Sequence, residues 1–210
     1  MTGAAVGLGS GYAAILLAAG AGRRFGGGKL LAPWRGAPLV AGAVRAALAT
    51  PSDPVIVVTG TEPESVGDAC RAAAEDRGGA ERLRLVHAAD HAEGMGASLR
   101  AGVAALPTGL RGVFVFLGDM PDIPEEVLPR LVTAVESGAP AAAPTYKGRR
   151  GHPVLFSASL LPDLAGAVGD AGAREVLAIL GDRLARVESP DPGVLFDVDR
   201  PEDLGDPPQG

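Results

Sequence analysis

The chain is nearly free of cysteine: Cys70 stands alone among 210 residues. That excludes an internal disulfide and fits a reducing compartment. Its setting in Val66–Ala74 has helical spacing, so a structural thiol is expected. No apolar run approaches the ~18 residues of a membrane span, although 47% of the residues are hydrophobic and mean hydropathy is +0.20. The apolar segment Tyr12–Ala19 is preceded by no basic residue, unlike a secretory leader. Excess positive charge is missing too. The formal net charge of −6 argues against nucleic acid as the main partner. Glycine and proline are abundant, at 31 and 18 residues, but below the range that signals disorder. With no repeat and no long linker, the expectation is a cytoplasmic protein with a single domain at 12–204. Residues 1–11 and 205–210 are expected as flexible tails, and neither a membrane nor a nucleic acid as partner.

The most informative run is Ile15–Lys29, ILLAAGAGRRFGGGK. An apolar strand enters a loop with Gly20, Gly22, Gly26, Gly27 and Gly28, the cations Arg23 and Arg24, and a closing Lys29. Glycine lets a backbone approach a ligand and turn its N–H groups toward it, and the cations beside it neutralise a polyphosphate. The loop is not a Walker type, because Leu30 follows Lys29 where a hydroxyl would serve Mg²⁺. It is not the dinucleotide fingerprint either, since Phe25 stands at the last glycine position. The plain alternative is a solvated Gly-rich turn.

Periodicity predicts strands at 13–18, 54–59, 83–87 and 112–117, alternating with helices at 38–49, 63–75, 95–106 and 124–137. That alternation implies an α/β fold, a parallel sheet with helices on both faces. Later, strands at 141–146 and 153–156 flank a cationic turn, helices follow at 158–166 and 172–180, and short strands at 184–188 and 195–198.

Asp119 follows the apolar strand Val113–Leu117 directly. Ligands of open α/β sheets bind beyond the carboxyl ends of strands, where a carboxylate can hold Mg²⁺ against phosphate; otherwise it is a turn or cap residue. Asp197 and Asp199 form a second cluster, two apart, and on the expected strand they point to one side. Asp199 is alternatively a cap for a short helix begun by Pro201. The run Thr145–Pro153, TYKGRRGHP, gathers cations, an aromatic and His152. It reads as an anion-binding loop for an acceptor or as a solvated hairpin tip, and His152 as a base, a metal ligand or a structural residue.

Six segments in order resemble the nucleotidyltransferase family that builds dinucleotide forms of the molybdenum cofactor. They are Leu17–Gly26 with Lys29–Leu31 and Gly36–Leu39, then Glu93–Arg100, Gly118–Pro121, Gly148–Pro153, Gly169–Arg174 and Asp197–Asp203. The resemblance covers nearly the whole chain, Ile15 to Leu204. It implies a Rossmann-like, nucleotide-diphospho-sugar transferase-like fold with a mixed extension to the sheet, and transfer of a nucleotide from CTP to a molybdopterin-type phosphate. It implies that Leu17, Ala18, Ala19, Gly20, Gly22, Arg24, Lys29, Gly94, Ser98 and Asp119 bind the nucleotide, with Arg24, Lys29 and Asp119 catalytic. Mg²⁺ is implied on Asp119 with Asp197 or Asp199. Arg149, Arg150, Gly151, His152, Asp170 and Arg174 are implied to face the acceptor. Ala18-Ala19-Gly20 resembles members that use CTP rather than GTP. Arg200 departs from the threonine common in the Asp-x-Asp-Thr-Pro motif. A recipient molybdoenzyme or its chaperone is an implied partner. The open alternatives are a guanylyltransferase, transfer to another phosphorylated acceptor, and a non-catalytic pterin carrier.

Overall fold

The structure, a computed structural model, describes residues 11–205; apart from Gly11 and Gly205, the expected tails lie outside them. β1 (Tyr12–Ala18) is an interior strand of an eight-stranded sheet. After it come β2 (Pro33–Trp34) and β3 (Ala37–Pro38), a separate small hairpin, then α1 (Leu39–Ala49), β4 (Val55–Thr59), α2 (Pro63–Arg77), β5 (Leu83–His87), α3 (Met95–Ala104), β6 (Gly112–Leu117) and α4 (Leu128–Glu136). The second half holds β7 (Ala141–Tyr146), β8 (Arg149–Arg150), β9 (Val154–Ser157), α5 (Leu161–Ala165), α6 (Arg174–Leu180) and β10 (Leu184–Glu188).

The sheet runs β10-β7-β9-β6-β1-β4-β5 with β8 attached to β7. Pairings β6–β1, β1–β4, β4–β5 and β7–β10 are parallel, whereas β9 is antiparallel to both neighbours. The expected parallel core with a mixed extension is therefore present. Alternation along β1 shows why helices cover both faces: Ala14 and Leu16 join one core with Val44 of α1, Cys70 of α2 and Leu131 of α4. Ala13 and Ile15 join the other with Leu99 of α3, Leu164 of α5 and Leu177 of α6. A strand buried on both faces has to be apolar at every position, and β1 is. Cys70 is fully buried and burial pushes its thiol up to about 12, so it packs as a small apolar side chain.

Four expectations change. Pro38 belongs to the β2–β3 hairpin and α1 begins at Leu39, because Pro38 is extended at ψ 141. The helix expected over 124–137 opens as a 3₁₀ turn, Glu125–Val127, before α4. The helices expected over 158–166 and 172–180 are shorter, each preceded by a 3₁₀ turn, at Ala158–Leu160 and Gly169–Ala171. The strand expected over 195–198 does not form. Pro192–Leu195 is a 3₁₀ turn, and the following segment bonds Asp119 through one backbone contact, Val198 N–H to the Asp119 carbonyl at 3.0 Å. Its side chains pack elsewhere: Phe196 and Val198 join Trp34, Leu39 and Phe25 in a small third core.

Candidate active site

The ends of β1 and β6 lie side by side, Leu17 opposite Leu117, so the loop leaving β1 and the Asp119 turn leaving β6 open on the same side of the sheet. They border a cleft of about 540 Å³. Residues Gly20–Arg24 line it. The remainder of the loop folds on itself, the amides of Phe25, Gly26 and Gly27 all donating to the Gly22 carbonyl at 2.9–3.2 Å. The part free to meet a ligand is thus the first half, and the glycine triplet shapes the turn. Gly22 has φ 57, and a Cβ there would meet the Lys29 side chain at 3.0 Å, so the turn that brings Lys29 back beside the loop needs glycine.

Lys29 is the hub. Its Nζ lies 2.6 Å from Asp119 Oδ2 and 3.7 Å from Asp199 Oδ1, with only 11% of the side chain exposed. Arg24 reaches Asp199 Oδ2 at 2.9 Å, but that guanidinium is 76% exposed, so the pair holds little energy. Asp197 belongs to the same group: burial raises its pKa, and the charges of Asp119 and Asp199 raise it further. Asp119 and Asp199 therefore meet at Lys29 and line the cleft, while Asp197 is not among the lining residues and is near enough only to feel their charges. The sequence argument for the last two, a shared strand face, is wrong; the irregular segment tied to the Asp119 carbonyl brings them in. Asp199 is not a cap. Its own amide and that of Arg200 donate to Asp203 Oδ2, at 3.0 and 2.7 Å.

Among the described residues no group of three or more acidic, histidine or cysteine side chains has the arrangement of a metal cage. Two carboxylates beside the Gly-rich loop nevertheless fit Mg²⁺, which usually takes one or two carboxylates plus phosphate oxygens.

The opposite wall comes from the stretch before and into α3: His91, Gly94, Met95 and the buried Ser98. Gly94 has φ 115, and a Cβ would strike Asp170 Oδ1 at 2.5 Å. Asp170, expected on the acceptor side, consequently lines this same cleft. Arg100 ties the wall together, donating to the Ala167 carbonyl at 2.7 Å and to Asp90 and Glu93 at 3.2 Å each. His91 was missed from sequence. Its Nδ1 sits 2.9 Å from the Ala88 carbonyl, and since a carbonyl only accepts, Nδ1 donates, leaving Nε2 of the neutral ring as an acceptor.

The cationic turn divides. Lys147 and Gly148, at φ 49 and 77, make the tight turn of a hairpin, with Tyr146 opposite Arg149 and Thr145 opposite Arg150. Neighbours in a strand face opposite ways, so Arg149 and Arg150 lie on different faces of the sheet. His152 is on the Arg150 side. Burial, the main cause, and the charge of Arg150 lower its pKa to about 4, against an opposing pull from Asp119. Its Nδ1 is buried without a hydrogen-bond partner. Gly151 is buried as its amide donates to the Pro144 carbonyl at 2.8 Å.

A MobA-like NTP transferase domain matches residues 14–187. The chain is 35% identical to nicotine blue oxidoreductase of Paenarthrobacter nicotinovorans, covering 90% of this chain and 93% of that protein. It is 32% identical to purine catabolism protein PucB of Bacillus subtilis, over 90% of this chain and 92% of that one. Identity to molybdenum cofactor cytidylyltransferase of Escherichia coli is 27%, with the same coverage of 90% and 92%. Among solved structures, the homolog of Mycobacterium tuberculosis Rv0371c from Mycobacterium sp. strain JC1 superposes with a TM-score of 0.72 at 28% identity, covering 93% of this chain and 94% of that one. With the domain match running from the middle of β1 to β10, this chain belongs to the MobA-like NTP transferase family.

Proposed function

We propose that this nucleotidyltransferase moves CMP from CTP to the phosphate of a molybdopterin-type acceptor in the cytoplasm. An acceptor phosphate oxygen attacks the α-phosphorus, the bond from that phosphorus to the bridging oxygen breaks, and pyrophosphate leaves with the electron pair. The observation that carries this reading is Lys29 beside Asp119 at the mouth of the Gly-rich loop, a cation and a carboxylate placed where a triphosphate would lie. A phosphate nucleophile is already ionised at neutral pH, so catalysis consists of positioning and charge neutralisation.

Residues Gly20 to Arg24 would cradle the triphosphate, and Lys29 with Arg24 would turn from their carboxylates to the departing pyrophosphate. Asp119 with Asp199 or Asp197 would hold Mg²⁺. The ion would supply charge stabilisation between the phosphates. Gly94 and Ser98 would meet the nucleoside, with His91 beside them. His152, Arg150 and Arg174 would face the acceptor, and a recipient molybdoenzyme or its chaperone would take the product. The choice of CTP rests on Ala18-Ala19-Gly20 and on the cytidylyltransferase relative. A second reading, a different acceptor, is favoured by the names of the two relatives above 30% identity, which refer to nicotine blue and to purine catabolism.

The test is pyrophosphate release from CTP, GTP, ATP and UTP in turn, with molybdopterin present. CTP should react fastest. Faster release from GTP reassigns the nucleotide, and no release from any of the four favours a pterin carrier.

A further inference from the structure

Beyond the loop and its aspartates, a second charged cluster gathers on the face of β7 that belongs to the same core as α6. Arg150 of β8 is opposite Thr145, and Arg186 of β10 is opposite Ala143. Thr145 and Ala143 are two apart on β7, so both arginines rise from the same face, one from each side of that strand. Ala143 and Leu184 mark the face, since both belong to the core that also holds Val176 and Leu177 of α6. Arg174, the first residue of α6, adds a third guanidinium from above. We infer that Arg186 completes, with Arg150 and Arg174, a three-armed anion site that receives the phosphate of the acceptor; this rests on the transfer reaction proposed above.

All three are exposed and so open to a ligand, and Arg150 feels the charges of the other two. No described carboxylate pairs with any of the three. Arg150 is held below its usual pKa by burial first, then by Arg174 and Arg186, with no acidic neighbour opposing them. Glu188, two along β10 from Arg186 and so on the same face, is committed elsewhere. One oxygen accepts from Thr145 Oγ1 at 2.6 Å and the other from the Lys147 amide at 3.0 Å. Those bonds pin the hairpin tip, fixing Arg150 without neutralising it. Guanidinium forks suit a phosphate, whose oxygens accept several bonds at once. The site also lies toward the reaction centre: His152 feels Arg150, Arg174 and Asp119 together. Nothing in the sequence marked Arg186, whose only signal is strand register.

The experiment titrates inorganic phosphate into the whole protein without nucleotide, following the arginine Nε–Hε resonances by NMR, and separately measures acceptor KM with CTP saturating. Phosphate should shift the Arg150, Arg174 and Arg186 signals together. Arg186→Ala should weaken the response of the other two several-fold and raise acceptor KM about tenfold, with KM for CTP within twofold. Arg183→Ala, the same charge loss at an exposed turn, should do neither. Unshifted arginine signals overturn the site. Phosphate binding with an unchanged acceptor KM in Arg186→Ala overturns its assignment to the acceptor. If no nucleotide is transferred yet Arg186→Ala still loses phosphate, the transfer reading has failed and the anion site stands.

Discussion

At the loop end of the cleft, Lys29 sits between Asp119 and Asp199 while Arg24 pairs with Asp199; on the β7–β10 face, the charges that shift Arg150 are those of Arg174 and Arg186. The two regions are equally cationic in sequence and opposite in circumstance. A lysine already neutralised by carboxylates can exchange partners when phosphates and a divalent cation arrive together, because every charge finds a new counterpart. Unpaired arginines have nothing to exchange. They are suited to a ligand that brings net negative charge and no metal. The distinction can be broken at either end.

The largest effect should come from the paired end. Asp119→Asn keeps size and removes the charge that Lys29 and a metal share, so turnover should fall about 10²- to 10³-fold with the fold intact, as the residue lies beyond the strand. Steady-state kinetics at saturating Mg²⁺ checks it, and near-normal turnover removes Asp119 from the mechanism. Lys29→Ala should weaken CTP more than CMP by titration calorimetry; equal losses mean that Lys29 touches neither outer phosphate.

The unpaired end should show itself in pH dependence. His152 is held near pKa 4, below its ordinary 6.5. A group whose folded pKa is depressed gives stability that is present above the unfolded value and lost as pH falls toward the folded one. The loss between pH 6.5 and 4 should reach roughly 2–3 kcal/mol, read by urea unfolding against His152→Gln, which cannot titrate. Parallel pH curves for the two proteins would mean that the arginines and burial do not repel a proton there.

How far these regions were legible in sequence follows the regularity of the backbone. β1, β4 and β6 are continuous apolar runs, so their ends, and with them the Gly-rich loop and Asp119, could be placed from pattern alone. Asp197 and Asp199 could be suspected only from their acidity. They arrive on a segment with no period, fixed by the Val198–Asp119 backbone bond and by Trp34 and Phe196 packing, and no local rule encodes such a contact. Arg149 and Arg150 looked like a pair because they are adjacent, and strand pairing at 145–150 separates them. Asp170 sits where a 3₁₀ turn presses on Gly94, a contact across some seventy-five residues.

The separation of Arg149 from Arg150 makes the fourth prediction. Arg150→Ala should raise acceptor KM about tenfold, the order of one charge-assisted bond, whereas Arg149→Ala, on the Tyr146 side of the hairpin, should change it less than twofold. Acceptor saturation curves at fixed CTP decide it. Equal effects would put both arginines on one ligand and dissolve the two-face assignment.

The smallest effect belongs to Asp197, the one place where the paired end is itself unbalanced. Its pKa is raised by burial and by Asp119 and Asp199, with Lys29 only partly opposing them. A carboxyl with a raised folded pKa binds its proton more tightly in the native state. Its ionisation therefore costs stability once pH rises through that folded value. Asp197→Asn removes the cost, so the variant should melt higher than wild type near neutral pH. Below the ordinary carboxylate value of 3.8, where both states of wild type are protonated, the difference should vanish. Millimolar Mg²⁺ should shrink it at neutral pH by stabilising wild type more than the variant, since the cation supplies the charge that the cluster lacks. Thermal melts at acid and neutral pH, with and without Mg²⁺, give all three comparisons. A variant that melts below wild type at neutral pH would show that Asp197 is already balanced, and an Mg²⁺ response equal in both proteins would take Asp197 out of the metal set and leave Asp199 as the partner of Asp119.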